Sequence, residues 1–481
     1  MQIRINYFVV LFFIAVSTVN AQTGQVPGKS WTLEECIDYA LKNNIQIRQT
    51  ELNSEMSESY VLQSQGSFLP SLNANASHSY NIGRTIDRYT NTFANSQVLS
   101  QQFGLSAELN LFSGFQNVNT LKQNRYNYLA SKFDVDKMRN DVSLNIASAY
   151  LQVLYSMDAV EIAANQMGLT TKQVERTGKL VDAGSTAKGT LLDIQAQLAS
   201  EELNLTTAQN QRDIALLSLA QLLNLPTAEG FTVVRPDLGV VNDALLTATP
   251  SQIYNTAVAN LPEVKSAEYK VKGADKGVSV ARGALSPRLT FNGFIGTGYS
   301  GASQRITGDP SVSGFAPDGS FTSGGDTVYS PVFSVPGYEN IPYFDQYRDN
   351  VNKSFGFYLT VPIFNRFQTK TAIDRAKIQK LSAELTVEST KLEIQKTVQQ
   401  AYADANAGLK KYYSSLKALE ATQQSFSYTE QKFNLGALNT NDYNISKNLV
   451  AKAQSDLLQA KYEYVFKTKV LDFYQGKPLK L

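Results

Sequence analysis

Hydrophobic residues recur at alternating three- and four-residue steps through the segment Gly114–Leu223, which is interrupted once, at residues 181–186. No proline occurs in this segment. A helix over its first limb alone, residues 116–178, would be roughly 95 Å long at 1.5 Å per residue, far longer than ordinary globular helices. The pattern turns once and returns, so it predicts an antiparallel helical hairpin with a coiled-coil seam. The seam of the return limb contains Leu191, Ile194, Leu198, Leu205, Ala208, Ala215, Leu219 and Leu222, with Glu201 and Arg212 as polar exceptions.

The whole pattern occurs twice. At an offset of 252 residues Gly184 matches Gly436 without a gap, and upstream of the hairpins, at an offset of 217, Thr32 matches Thr249. The second copy therefore holds 35 extra residues between its paired segments. Two unrelated hairpins would not give an ungapped match over roughly a hundred residues, so the chain is predicted to be a duplicated unit.

Before each hairpin the periodicity changes to two. Residues 72–82, 103–111, 289–295 and 355–363 alternate between apolar and small or polar side chains. Strands of about ten residues with alternating faces are typical of transmembrane barrels, although a soluble antiparallel sheet has the same pattern. Aromatic residues near the predicted strand ends favour the membrane interpretation; they are Tyr80, Phe112, Tyr299 and Phe364.

Four strands cannot close a barrel, and an open sheet edge in lipid leaves backbone groups without partners. Strands in a membrane would therefore have to be pooled from several chains. Three copies would give twelve strands, an even number within the known range, but symmetry admits other counts.

The remaining segments carry shorter signals. Met1–Ala21 has one basic residue, an apolar run and small residues at its end, which is typical of a secretory signal peptide. Thr32 and Glu35 form a predicted capping box that begins a short helix. The segment 300–352 is rich in Gly, Ser, Pro and Asp and contains many aromatic residues. We interpret it as an outward-facing loop rather than a constriction over the pore.

Composition excludes several classes of function. The net charge of +2 leaves no electrostatic footprint for nucleic acid. A single cysteine, Cys36, excludes a disulfide framework, and a single histidine, His78, excludes the common metal sites and triads. We expect Cys36 to be a buried apolar residue and His78 an ordinary strand residue. No cofactor or catalytic constellation is predicted.

The predicted domain organisation follows from these signals. It is a signal peptide (1–21), a first repeat (22–225) with belt helices, a strand pair (67–113) and a helical hairpin (114–224), a linker (226–248), a second repeat (249–475) with belt helices, a strand pair (285–366) and a hairpin (367–474), and a tail (476–481).

The order of these elements carries a family resemblance. A leader, a capping box with Ala40-Leu41-Lys42-Asn43-Asn44, a strand pair, Leu111-Phe112-Ser113-Gly114 and a long hairpin occur in order, and the arrangement is then repeated. This resembles the TolC-type outer-membrane efflux channels. The resemblance implies a homotrimer in the outer membrane, with a twelve-stranded β-barrel and a periplasmic α-helical barrel. It also implies a passive exit duct for efflux or type I secretion, opened by a periplasmic adaptor and an inner-membrane pump.

The resemblance assigns roles to the hairpin tips. The family's entrance is lined by an acidic residue six positions after the tip glycine, which is Asp442 here; the matching residue of the first hairpin is Thr190, with Asp193 as the nearest acid. A second family acid is replaced by Ile445, so the acidic ring is thinner. Asp442 would alternatively cap the returning helix. The adaptor would dock on the tips, around Gly184, Ser185, Gly436, Ala437 and Leu438.

The competing interpretation is a secreted coiled-coil scaffold or adhesin with a soluble sheet. It predicts a protein that is recovered without detergent. The cargo stays open, because drugs, metal ions, small metabolites and polypeptides all pass through the family that the chain resembles.

Overall fold

The computed structural model describes residues 30–86, 93–95, 97–236 and 248–480, so the predicted signal peptide and residues 237–247 of the linker lie outside the described residues. The chain forms two compact units. The first, here named the hairpin unit, comprises Met1–Ile45, Asn140–Pro250 and Gln399–Leu481. The second, the sheet unit, comprises Gln46–Arg139 and Ser251–Val398.

Helices dominate the described chain. They are α1 (Leu33–Asn43), α2 (Ile45–Gly66), α3 (Gln116–Asp182), α4 (Lys188–Leu222), α5 (Pro250–Asn260), α6 (Pro262–Gly283), α7 (Tyr343–Asp349), α8 (Gln368–Asn434) and α9 (Thr440–Tyr474). The strands are β1 (Ser30–Trp31), β2 (Ser71–Asn81), β3 (Arg84–Ile86), β4 (Phe93–Asn95), β5 (Val98–Ser113), β6 (Thr232–Val233), β7 (Arg288–Ser300), β8 (Gln304–Thr307), β9 (Ser311–Phe321), β10 (Thr327–Ser334), β11 (Gly337–Asn340) and β12 (Asn352–Thr360).

The long helices follow the sequence pattern. α3 and α8 each contain 67 residues, and α4 and α9 each contain 35. Seam positions such as Ile194 and Leu219 in α4 and Val398 and Ala405 in α8 are buried. At 1.5 Å per residue, each 67-residue helix is about 100 Å long. Polar and apolar residues nearly balance in these helices, so their stability depends on packing along the buried seams.

Four strands of the sheet unit form one antiparallel sheet in the order β12-β7-β5-β2, so that β2 and β12 lie at its edges. The predicted strand length of about ten residues holds for β2 and β12, which have 11 and 9 residues, but is too short for β5 and β7, which have 16 and 13. β5 begins at Val98 rather than Phe103, because its first two residues pair with β2 and the polar residues 100–102 pair with both β2 and β7. A bulge between Asn110 and Phe112 interrupts the predicted alternation at Leu111.

The pairing register divides the sheet into two chemically distinct faces, because directly opposed residues share a face. The apolar face contains Leu72, Ala74, Ala76, Phe103, Leu105, Leu109, Leu289, Phe291, Ile295, Phe355, Phe357 and Leu359. The other face is mostly polar and contains Asn73, Asn75, Ser77, Gln102, Ser106, Glu108, Arg288, Thr290, Asn292, Ser354, Tyr358 and Thr360, together with one aromatic residue, Phe294; it is named the polar face here.

The segment 300–352 is more ordered than the predicted loop. It contains the antiparallel pair β9–β10, the pair β8–β11 and helix α7. Register shifts within β9–β10, together with glycine and proline in the strands, break the period-two signal that would have revealed them. Similarly, the connection after β2 contains the small pair β3–β4.

Short elements of the hairpin unit were partly visible in the sequence. The capping box is confirmed: the Glu35 amide donates to Thr32 Oγ1 at 3.2 Å, and the Thr32 amide donates to Glu35 Oε2 at 3.1 Å. Cys36 is fully buried on α1, and burial raises the pKa of its thiol to about 12. The predicted linker contains β6, whose parallel pairing with β1 the sequence did not reveal.

Candidate functional site

The two hairpin tips have the same backbone geometry. Gly184 and Gly436 adopt φ angles of +74° and +75°, in the left-handed region that glycine adopts without strain. In the first tip the Ser185 amide donates to the Leu180 carbonyl at 2.8 Å. In the second tip the Ala437 amide donates in the same way to the Lys432 carbonyl, at 2.9 Å. Both glycines therefore terminate a long helix in a Schellman-type turn.

Asp442 lies in the first turn of α9 and is exposed. The residue that caps α9 is Asn439, whose Oδ1 accepts from the Asp442 amide at 2.8 Å. The Asn439 side-chain amide in turn donates to Asp442 Oδ2, also at 2.8 Å. Asp442 thus supports the cap without being the cap itself. Its carboxylate at a helix N-terminus is electrostatically favourable, which leaves it free to face solvent.

The first hairpin presents its predicted residues differently. α4 begins at Lys188 after Ala187, which makes no side-chain capping bond. Thr190 is half-buried and Asp193 is exposed one turn further along α4. The tips therefore match in backbone geometry, while only the second has a polar side-chain cap beside its acidic residue.

Side-chain contacts connect the helices close to the tips. The Arg176 guanidinium on α3 donates to Asn434 Oδ1 at the end of α8. Phe433 stacks on Tyr443 with ring centroids 4.5 Å apart, which fastens α8 to α9. Burial raises the pKa of the Tyr443 hydroxyl. Ser185 and Ala437, which the sequence predicts to bind an adaptor, are exposed at the tips.

A buried ionic contact between the two hairpins was not predicted. Lys447 Nζ of α9 lies 2.7 Å from Glu201 Oε1 of α4, with 2% and 4% of the side chains exposed. The Thr170 hydroxyl on α3 contacts both groups, and Gln197 donates to Glu201 Oε1 at 2.9 Å. The sequence signal is a charged residue on a mostly apolar seam, which marks Glu201 as an exception but does not identify its partner.

A second charged cluster fastens the first half of the linker to α3. Arg235 contacts Asp158 at 2.5 Å and Glu161 at 2.9 Å. Tyr462 on α9 donates to the other oxygen of Asp158 at 2.8 Å. The hydrogen bond with Glu161 is the main cause of a raised pKa of Arg235.

The described residues include neither a membrane-spanning helix nor a cluster of metal ligands. None of the helices there has both the length and the apolar character needed to cross a membrane. Within the same residues, no group of three or more His, Cys, Asp or Glu side chains is arranged to hold a metal ion. His78 lies in β2, where its Nδ1 is 2.7 Å from the Gln101 side-chain nitrogen.

The sequence and the fold both resemble those of known proteins. A family model described as "Outer membrane efflux protein" matches residues 36–225 and 253–476. The chain is 23% identical over 292 residues to the probable outer membrane lipoprotein SilC of Salmonella typhimurium, covering 58% of this chain and 59% of SilC. It is 21% identical over 451 residues to the outer membrane efflux protein BepC of Brucella suis biovar 1 (strain 1330), covering 92% of this chain and 84% of BepC. The structure of the outer-membrane channel OprN superposes with a TM-score of 0.72 at 17% identity, over 93% of this chain and 91% of OprN.

The fold is therefore that of the outer-membrane channels that combine a β-barrel with an α-helical barrel. Because the family model covers most of its length, the chain belongs to the outer membrane efflux protein family, as the resemblance to TolC-type channels predicted. Its location in the outer membrane, with a large periplasmic helical part, is confirmed, as is its role as an efflux channel in preference to a secreted scaffold. The members of this family are channels rather than enzymes, and they work as trimers with adaptors and inner-membrane pumps.

Proposed function

We propose that three copies of this chain form a passive exit duct in which each copy contributes the sheet β12-β7-β5-β2. The observation that carries the proposal is the combination of one apolar face, one polar face and two sheet edges in a single chain. In a membrane both edges must find partners, and pairing β2 of one copy with β12 of the next removes them. The polar face would then line a water-filled lumen. No chemistry by this chain is required, since the pump supplies the energy.

The test combines oligomer mass with planar-bilayer conductance of the detergent-extracted protein. A species of three-chain mass that gives small, reproducible conductance steps supports the duct. A chain that stays soluble without detergent and gives no steps would contradict it, because its strands would then not lie in a membrane.

The proposed entrance is the end of the duct formed by the hairpin tips, where three copies of Asp442 form a ring. Carboxylate rings at narrow points favour cations and repel anions. In the first hairpin the position that matches Asp442 is held by the uncharged Thr190, and the nearest acid, Asp193, lies three residues further from the tip, so it makes a smaller contribution.

The substitution Asp442→Asn tests the gate without removing the helix cap, because an amide retains the oxygen that accepts from Asn439. We expect lower cation selectivity or a higher leak conductance, with unchanged helical content. Asp193→Asn is expected to have a smaller effect, and Asp456→Asn, an exposed acid further along α9, none. If selectivity and leak of the Asp442→Asn channel equal those of the original protein, the gate assignment is wrong.

We also propose that the tips bind a periplasmic adaptor. The supporting observations are the exposed Ser185 and Ala437 in two turns of equal geometry, with Gly184, Gly436 and Leu438 beside them. A photo-crosslinking residue at position 185 or 437 should capture a membrane-anchored adaptor in cells. The same residue at the exposed position 209 of α4 serves as the control. Equal capture at all three positions would contradict docking at the tips.

A further inference from the structure

Helix α7 lies against the end of the sheet and is fixed there by aromatic and polar contacts. The Tyr347 ring is 5.5 Å from the Phe103 ring, and the Tyr343 ring is 4.6 Å from the Tyr299 ring. The Tyr347 hydroxyl also contacts Gln101 Oε1 at 2.5 Å. The helix is therefore part of the packed sheet unit rather than a detached loop.

The register shows which face α7 covers. Phe103 is opposite Thr297, and Gln101 is opposite Tyr299, on the same side of the sheet as Ile295. Thr297 Oγ1 donates to the Tyr347 carbonyl at 2.6 Å. These contacts all belong to the apolar face. Because the polar face lines the lumen of the proposed duct, α7 lies on the side that meets lipid.

The connections of the strands show which end of the sheet α7 covers. At the opposite end β5 finishes at Ser113, shortly before α3, and β12 finishes at Thr360, shortly before α8. These long helices form the periplasmic part of the family's fold. The end that carries α7 is therefore the outer one, and the lipid beside it belongs to the outer leaflet.

The length of the apolar face sets the depth of α7. From Phe112 to Phe103 β5 rises about 30 Å at 3.3 Å per residue, and a strand tilt of 35–45° reduces this to about 21–24 Å. This is close to the apolar band of about 25 Å that outer-membrane barrels present to lipid. Phe103, and the Tyr347 ring that contacts it, therefore lie at the outer limit of the hydrocarbon.

The polar groups of α7 and the residue after it satisfy a strand edge at this level. β12 begins opposite Gly296, so β7 continues beyond its partner. Asn350 donates to the Gly298 carbonyl at 2.8 Å. The buried Gln346 side chain donates to the Ser300 carbonyl at 3.0 Å and accepts from the Ser300 amide at 2.9 Å. Protein groups thus replace water at this edge, as lipid surroundings require.

The outward side of α7 has the chemistry of a membrane interface. Phe344 is 83% exposed and Tyr343 is 39% exposed. Lys353, at the start of β12 on the apolar face, is also exposed. Aromatic rings prefer the headgroup level, and a lysine there extends its ammonium group towards the headgroups.

From these observations we propose that α7 binds the outer-leaflet lipid at the boundary between headgroups and acyl chains, with the Phe344 side chain inserted among the lipids. The proposal rests on the outer-membrane duct proposed above. It assigns a lipid-binding role to an element of the segment that the sequence suggested was a loop.

The chain contains one tryptophan, Trp31, which allows a depth measurement. In a Trp31→Phe background, Phe344→Trp places a single reporter on α7. The protein is reconstituted in phosphatidylcholine vesicles that contain lipids brominated either near the glycerol end or near the methyl end of the chain. We expect a loss of emission that is larger with the shallow label than with the deep one. Quenching by iodide in the buffer with no loss from either lipid label overturns the proposal, as does stronger quenching by the deep label.

Two further reporters separate failure of this proposal from failure of the duct. Phe357→Trp, in the middle of the apolar face, should be quenched most by the deep label, and Phe321→Trp on β9 should be quenched by iodide. If the Phe357→Trp reporter is not quenched by the deep label, the sheet is not in the membrane and the proposed duct fails. If it is quenched while Phe344→Trp responds only to iodide, the lipid role of α7 alone fails.

A variant that releases α7 gives an independent readout. Gln346→Leu removes both hydrogen bonds to Ser300, and Gln304→Leu on the exposed β8 is the matched control. The first substitution should shift the Phe344→Trp signal from lipid quenching towards iodide quenching, whereas the second should not. Equal signals from both variants would show that the strand-edge contacts do not hold α7 at the interface.

Discussion

Glu201 and Lys447 allow a sharp test of how the two hairpins are held together. The pair joins α4 to α9 at 2.7 Å, with both side chains almost completely buried. Removing one partner leaves the other charged group in the seam without its counter-charge. The informative substitutions are Glu201→Gln and Lys447→Met, and then Glu201→Leu combined with Lys447→Met.

The magnitudes follow from burial. Removing one member of a buried ion pair costs about 3–5 kcal/mol, because an uncompensated charge stays in the interior. Replacing both by apolar residues of similar volume is neutral or stabilising by about 1–4 kcal/mol. The exposed pair Lys452–Asp456 on the same helix has 70% and 50% of its side chains accessible, and such i,i+4 pairs contribute about 0.3–0.5 kcal/mol.

Hydrogen exchange of the α9 amides near Lys447 measures the free energy of local opening. A loss of about 3–5 kcal/mol accelerates exchange by roughly two to three and a half orders of magnitude, since each 1.4 kcal/mol is tenfold. The double apolar variant should exchange at or below the original rate. Lys452→Met should change exchange in its own turn by about twofold.

Two results would refute this reasoning. The first is a single variant whose exchange near position 447 accelerates by less than about tenfold, or 1.4 kcal/mol, because the pair would then not be effectively buried. The second is a double apolar variant that exchanges as fast as the faster single variant. In that case the loss would come from packing and not from an unpaired charge.

Three further predictions concern the hairpin unit. A hydrogen bond from Lys467 lowers the pKa of Asp404 in the folded state. The pair therefore stabilises the folded state above the ordinary carboxyl pKa, and this stabilisation is lost as the pH falls through the lower pKa of the folded state. Acid unfolding of Asp404→Asn should show a weaker pH dependence than that of the original protein, and an unchanged profile would contradict the assignment. Tyr150→Phe removes a hydroxyl that contacts two backbone carbonyls, at 2.6 and 3.1 Å. We expect it to lower the free energy of unfolding, measured with a chemical denaturant, by about 1–3 kcal/mol, and a loss below about 0.5 kcal/mol would show that those carbonyls find other partners. Arg235→Ala removes both ion pairs that fasten the linker to α3, so limited proteolysis should cut the linker faster than in the original protein. An equal cutting rate would indicate that the contact with Asp158 does not anchor the linker.

The helical part of the fold could be predicted from the sequence because its hydrophobic periodicity runs over many turns. The start of α3 at Gln116 and the end of α9 at Tyr474 lie where the sequence indicated, since glycine, proline and seam residues mark them clearly. The strands were visible only where apolar residues alternate. Residues 100–102 of β5 are polar on both faces and gave no signal, although pairing with β2 and β7 keeps them extended.

Contacts between distant segments could not be predicted in the same way. The seam pattern identified Glu201 as an unusual residue but did not show that Lys447, 246 positions away, completes the pair. Likewise the composition of the segment 300–352 suggested a loop, while Gln346 forms tertiary contacts that fold part of it onto the sheet. At the tips, sequence identified the glycines, but the assignment of the cap to Asn439 required the side-chain geometry.

α3 and α8 each have 67 residues, and α4 and α9 each have 35. These equal lengths restrict which insertions and deletions the hairpins can accept. One heptad added to both limbs of a single hairpin would move its tip by about 10 Å, which would separate Arg176 from Asn434. Insertions and deletions are therefore tolerated only when they occur in both halves together. We expect natural variation in hairpin length to arise through paired events, while the segment 300–352, which is longer than the matching connection between β2 and β5 in the first half, can lengthen or shorten independently.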